Sequence, residues 1–182
     1  MGQSIGLVEL KSIPVGIETT DDMLKAASVE LLLATPICPG KYIIIVEGNV
    51  GAVKSSVKAG IAKAETFLVG HHIINNVHES LPSAISGTAE VANISALGII
   101  ETISALTAVT AGDIAAKASN VRLIEIRIAR GLGGKGFLIF TGEISAVKSA
   151  VNSCLNELKE TGEITSYSVI SSPHKDLIKS IM

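Results

Sequence analysis

Short runs of aliphatic and β-branched residues alternate along this chain with longer stretches whose apolar positions recur every three or four residues. Residues 5–10, opening on Ile5 and closing on Leu10, form the first compact run and predict a strand. Residues 20–28 carry Asp21 and Asp22 early and Met23, Leu24, Ala26 and Ala27 after them. Acidic residues suit the positive end of a helix dipole, so this stretch predicts a helix. Residues 29–33 and 42–46 are rich in Ile, Val and Leu and predict buried strands. Gly48 and Asn49 offer a stop and an N-cap. Residues 50–67 then predict a helix with Val50, Val53, Val57 and Ile61 on one face. A last strand is expected at 73–77.

The second half repeats this order. Ile5-Gly6-Leu7-Val8-Glu9-Leu10 stands against Leu97-Gly98-Ile99-Ile100-Glu101-Thr102, an offset of 92 residues. At that offset Lys25-Ala26-Ala27-Ser28-Val29 falls on Lys117-Ala118-Ser119-Asn120-Val121. After a two-residue insertion, Ala52-Val53-Lys54-Ser55-Ser56-Val57 falls on Ala146-Val147-Lys148-Ser149-Ala150-Val151. His78 and Leu81 match His174 and Leu177. One register held over most of both halves means two copies of one module. The second copy places strands at 97–103, 121–128, 136–140 and 167–170, and helices at 111–120 and 144–159. The fold class is α/β: two tandem α/β sandwich domains, 1–88 and 94–182, joined around 86–93.

Composition narrows the function. The 182 residues are 47% hydrophobic and carry a formal charge of −2, which excludes intrinsic disorder and gives no basic field for nucleic acid. The most apolar stretch, 94–116, is broken by Glu101 and Asp113, short of the roughly 18 apolar residues of a spanning helix. No membrane partner is expected. The first residues show no basic segment followed by an apolar one, so a secretory leader is not expected and cytoplasmic residence is. Mean hydropathy is +0.50, which points to buried strands and subunit interfaces.

The copies differ most between their central strands. The first reads Thr35-Pro36-Ile37-Cys38-Pro39-Gly40-Lys41 and the second Ala129-Arg130-Gly131-Leu132-Gly133-Gly134-Lys135. The second is not a phosphate loop: Gly136 follows Lys135 where Ser or Thr is required, and a strand follows instead of a helix. Cys38 lies between two prolines in a turn, the kind of place where function concentrates, and Lys41 nearby favours a thiolate. One cysteine cannot hold zinc or an iron–sulfur cluster, so a metal there needs symmetry to bring several copies together. Cys154 sits in a helical run and reads as a packing thiol. His71 and His72 point to opposite faces of a strand. His78 and His174 recur at equivalent positions, as do Glu9 and Glu101, which favours structural contacts over catalysis. No Ser/His/Asp series or acid pair stands out, and no enzyme is expected.

The repeated opening strand, the Lys-Ala-Ala/Ser segment, the Gly-Lys turn before a strand and the Gly-Ala-Val helix start resemble the bacterial microcompartment (BMC) shell domain, twice over. The resemblance implies a tandem-domain shell protein that forms pseudohexameric homotrimers and meets other microcompartment shell proteins in the shell. It implies that Ile37, Pro39, Gly40, Arg130, Gly131, Leu132, Gly133 and Gly134 line the central opening. Tile edges would carry Lys25, Ser28, Lys117, Asn120, His78 and His174. The family's Arg-Pro-His segment stands here as Ser172-Pro173-His174, without its arginine. Ile37-Cys38-Pro39-Gly40-Lys41 resembles a lineage within the family, of propanediol-utilisation shell proteins, with a [4Fe–4S] cluster at the trimer centre. That implies Cys38 as the metal ligand, three thiolates per trimer, and electron transfer across the shell or cluster delivery, with a lumen or cytosolic redox enzyme as a further partner. The alternative is a shell tile whose opening admits a metabolite, with no cluster.

Overall fold

A computed structural model describes residues 3–128 and 131–181. They fall into two compact units. The first holds residues 3–77 together with 131–134, and the second holds 78–128 with 135–181.

In the first unit the strands are β1 (Gln3–Leu10), β2 (Glu30–Ile37), β3 (Lys41–Asn49) and β4 (Leu68–Ile74). They form one antiparallel sheet in the order β2-β3-β1-β4. Helices α1 (Ile13–Ala26) and α2 (Val50–Ala64) pack on each other and on the sheet. Alternation along the strands sends Val8, Leu10, Tyr42, Ile44 and Val46 to the helix side, where they meet Met23, Val53 and Val57. Asn49 caps α2 as its sequence position implies: its Oδ1 accepts from the Ala52 N–H at 2.8 Å.

The first helix starts earlier than its acidic pair suggests. Ser12 is the N-cap and Pro14 occupies the first turn, where a missing N–H costs nothing. Asp21 lies in the third turn and bonds Lys25 four residues on, at 2.5 Å. The last strand of this unit also lies earlier, at 68–74 instead of 73–77. It is an edge strand with His71 and His72 exposed, so it shows little apolar signal; register with β1 defines it.

The second unit opens with α3 (Leu81–Ser86), a short helix that belongs in sequence to the end of the first repeat. Then come β5 (Ala96–Thr102), α4 (Ala105–Ala118), β6 (Val121–Ile128), β7 (Gly136–Gly142), α5 (Ile144–Glu157), β8 (Ile164–Ile170) and α6 (Lys175–Ile181). The sheet order β6-β7-β5-β8 reproduces that of the first unit. Ser104 caps α4, its side chain accepting from the Thr107 N–H, so this helix too begins before the expected residue 111. The sequence pattern did not predict α3 or α6: both are about two turns or less, too short to show a period. Among the described residues no helix is long and apolar enough to cross a membrane.

The two units solve one contact in opposite ways. In the first, Gly16 of α1 lets the Tyr42 ring lie against the helix; a Cβ there would stand 2.5 Å from the ring's Cδ1. The matching residues of the second unit are Ala108 and Gly136, and a Cβ on Gly136 would stand 2.7 Å from that of Ala108. The bulk sits on the strand in one copy, and the larger residue on the helix in the other.

Candidate functional site

The β2–β3 connection is tighter than its sequence suggests. Ile37 pairs with Lys41 and Pro36 with Tyr42, so Thr35, Pro36 and Ile37 are strand residues. Only Cys38, Pro39 and Gly40 make the turn. Pro36 is tolerated because β2 is an edge strand and its missing N–H breaks no ladder. Gly40 takes the left-handed conformation, φ 69°, that a side chain would resist. The Cys38–Pro39 peptide bond is cis. Cys38 is half-buried, Ile37 is buried, and Pro39 and Gly40 are exposed.

The β6–β7 turn contributes Gly131, Leu132, Gly133 and Gly134; Arg130 lies outside the described residues. Residues 131–134 group with the first unit. Gly131, Gly133 and Gly134 all have positive φ. Gly134 is buried, and a Cβ on it would lie 3.5 Å from the Cys38 carbonyl oxygen and 3.5 Å from Pro39 Cδ. The structure therefore brings Gly134 against the cysteine turn, while Gly131 and Gly133 are exposed.

Each turn ends in a lysine that is bonded to the glutamate of its own first strand. Lys41 Nζ bonds Glu9, whose carboxylate is buried. Lys135 bonds Glu101 at 2.8 Å, and Thr165 donates to the same oxygen at 2.6 Å. The Lys135 bond first, and then the Thr165 bond, hold Glu101 below the usual carboxylate range. The recurrence of Glu9 and Glu101 is thus structural. It also matches the Lys41 charge with a carboxylate of its own chain, so that lysine is not a free cation beside Cys38. Cys154 is a packing thiol: it is buried, contacts the Ala111 carbonyl at 3.3 Å, and burial pushes it up to about 12. Among the described residues no three His, Cys, Asp or Glu side chains gather to hold a metal.

The expected edge residues occupy matched places. Lys25 and Lys117 are in the last turns of α1 and α4, each bonded at 2.5 Å to an aspartate four residues before it. The bond to Asp21 raises the Lys25 pKa. Ser28 and Asn120 follow those helices, both exposed; Ser28 lines a polar groove of about 280 Å³ with Glu30, Glu47 and Asn49. His78 and His174 each accept, through Nδ1, from the N–H two residues on, at 3.3 and 3.2 Å, at the starts of α3 and α6. The contact missed by sequence reading is between His78 and Asp113: the His78 N–H donates to Asp113 Oδ1 at 2.8 Å.

Two four-stranded sheets with one strand order, each backed by helices and each with a turn ending in lysine between its second and third strands, are a duplicated module. The sequence profile of the BMC domain matches residues 4–77 and again 96–173. The chain belongs to the BMC domain family. Over all 182 residues it is 40% identical to the bacterial microcompartment shell protein PduT of Citrobacter freundii, covering 99% of that protein. Bacterial microcompartment shell protein PduA of the same organism is 38% identical over 90 residues, 46% of this chain and 97% of PduA. That ratio is what a doubled BMC domain predicts. A microcompartment protein from Desulfitobacterium hafniense, known from its crystal structure, superposes with a TM-score of 0.95 at 46% identity, covering 98% of this chain and 99% of that one.

Proposed function

We propose that this chain is a structural tile of a bacterial microcompartment shell in the cytoplasm, not an enzyme. Three copies close a ring of six BMC domains, with the Cys38 turns at its centre and neighbouring shell proteins at its rim. Three Cys38 thiolates there hold a [4Fe–4S] cluster. The observation that carries this reading is the placement of Cys38: a half-buried thiol in a three-residue turn, against which the glycine turn of the other repeat lies. The full-length likeness to PduT supports the tile.

The donor set fits the cluster only through symmetry. One chain offers one turn thiol, since Cys154 is sealed in the core and the position matching Cys38 in the other repeat has none. Three Cys38 thiolates, one from each copy, would hold the cluster, one short of the four cysteines such clusters usually take. When bound, the cluster supplies one-electron exchange between the two sides of the shell. The protein's part is mechanical and electrostatic. Pro36, Pro39 and the tight turn hold Cys38 in place with little freedom to lose. The Glu9–Lys41 pair adds no net charge beside it.

Anaerobic purification and reconstitution with iron and sulfide test the reading. About four iron atoms per three chains, with the broad visible absorbance of a cluster, are expected for wild type and not for Cys38→Ser. Equal iron content in the two proteins overturns the cluster. Shells whose permeability changes with substitutions at 131–134, with no iron requirement, would establish the metabolite opening instead.

A further inference from the structure

The lysine that closes each turn belongs to an ion pair, and the two pairs have different surroundings. Lys41 pairs with Ile37 and so closes the turn of Cys38, Pro39 and Gly40. Its partner Glu9 stands opposite Ile43, two residues farther from the turn. The Glu9 side chain is 1% exposed and that of Lys41 20%. In the second unit the matching Glu101 and Lys135 are 39% and 49% exposed. Glu101 also accepts from Thr165, the residue that the ladder between β5 and β8 skips. The residue skipped between β1 and β4 is Val69, which has no hydroxyl to donate. Among the described residues the Glu9 side chain therefore bonds to Lys41 alone. A buried ion pair is a poor source of stability, since apolar residues of similar volume often do as well or better. A carboxylate sealed beside the cysteine turn, with one cation as its whole complement, calls for another reason.

We propose that Glu9 sets the charge at Cys38. Its carboxylate cancels the Lys41 charge and holds the ammonium back along the sheet, so the thiol lies beside a neutral pair and not beside a free cation. Glu9 acts through Lys41, as a positioning residue and not as a ligand. The charge matters most where three such turns meet. Three unmatched lysines around three thiolates would form a cationic centre that draws small anions to the opening and raises the potential of a cluster held there. Three matched pairs remove that field. Glu101 does the same for Lys135, but through a more exposed pair whose charges water and salt already screen, so the carboxylate with the greater influence is Glu9. The consequence for the opening rests on the ring proposed above; the charge on a single turn does not.

Two alkylating reagents of similar size read this charge directly. Iodoacetate is an anion and iodoacetamide is neutral, and with each the Cys38 thiolate displaces iodide. The ratio of their rate constants at Cys38, followed by mass spectrometry on cluster-free protein, cancels any change in thiolate fraction or access that both share and keeps the charge. Glu9→Gln is expected to raise the iodoacetate-to-iodoacetamide ratio at least about threefold at low salt, and about 0.5 M salt to remove most of the rise. Glu9→Gln with Lys41→Met, which removes both charges, is expected to return the ratio to that of wild type. Wild type gives a second reading that needs no variant: its ratio should match that of a cysteine in a short neutral peptide and be nearly flat with salt. A wild-type ratio already raised and salt-sensitive means that Lys41 is a free cation, and overturns the inference. So does a Glu9→Gln protein in which both reagents speed up or slow down alike, or a double variant that keeps the raised ratio. A raised Glu9→Gln ratio in a protein that binds no iron removes the cluster and leaves this inference standing; an iron-loaded wild type with an unmoved Glu9→Gln ratio does the reverse.

Discussion

The Gly16–Tyr42 contact yields a prediction whose sign discriminates between two effects. By helix propensity alone, Gly16→Ala in α1 should stabilise by up to about 1 kcal/mol. The structure says otherwise. The new methyl would lie 2.5, 2.5 and 2.6 Å from Cδ1, Cγ and Cβ of Tyr42. Ordinary carbon contacts are about 3.5–4.0 Å, so the helix and strand must separate by about 1 Å. The obstacle is the stem of a buried ring, with its Cβ fixed to β3, not the free end of a flexible chain. Overpacking of this kind sits near the upper end of the usual range, about 3 kcal/mol, which leaves a net loss of about 2 kcal/mol. With an m-value of about 2 kcal/mol/M, the urea midpoint followed by far-UV circular dichroism falls by about 1 M. The second unit supplies the control, since its arrangement is Ala108 with Gly136. In a Tyr42→Gly background, already weakened by loss of the ring, Gly16→Ala costs nothing and recovers its helix propensity. A midpoint that rises on Gly16→Ala at unchanged m, or the same penalty with and without Tyr42, would refute the steric argument.

Two further outcomes follow from individual side chains. Glu30 and Glu47 are cross-strand partners, and burial, then the Glu30 charge, raise the Glu47 pKa above 4.5. The folded state then binds this proton more tightly than the unfolded one, so stability is greatest below the ordinary carboxylate pKa and erodes as pH rises through the raised one. Glu47→Gln should accordingly gain about 0.5 kcal/mol at pH 7 and nothing at pH 3, read from thermal melts at both; a gain that persists at pH 3 contradicts the charge origin. The cysteines should separate under alkylation of cluster-free protein: iodoacetamide labels Cys38 in the native chain at pH 8, and Cys154 only after denaturation. Mass spectrometry finding native Cys154 modified would contradict its burial in α5.

The sequence alone determined the duplication, because two copies of one pattern are visible without any contact being known. It determined the strands at 5–10, 42–46, 97–103 and 121–128 to within a few residues, since each must bury one or both faces and its composition records that. The Asn49 cap and the turn setting of Cys38 were legible for the same reason: a local backbone need selects a local side chain. Other features were decided in three dimensions. Asp21 and Asp22 looked like a helix start because charge near a dipole and charge paired with a lysine one turn on read alike in one dimension. The edge strand β4 carries little apolar signal, and its ladder to β1 defines it. The bonding of Lys41 to Glu9 joins residues far apart in sequence, so no local pattern announces it. The clearest case is the unequal exposure of matched apolar positions in the two units. Ile17 and Val109, or Leu31 and Leu123, are near-equivalent letters at equivalent positions, and only the seat of α3 on β6 and α4 makes one pair core and the other surface. Repetition in sequence specifies a fold twice, but burial depends on what lies opposite each copy, and that is a property of the tertiary arrangement.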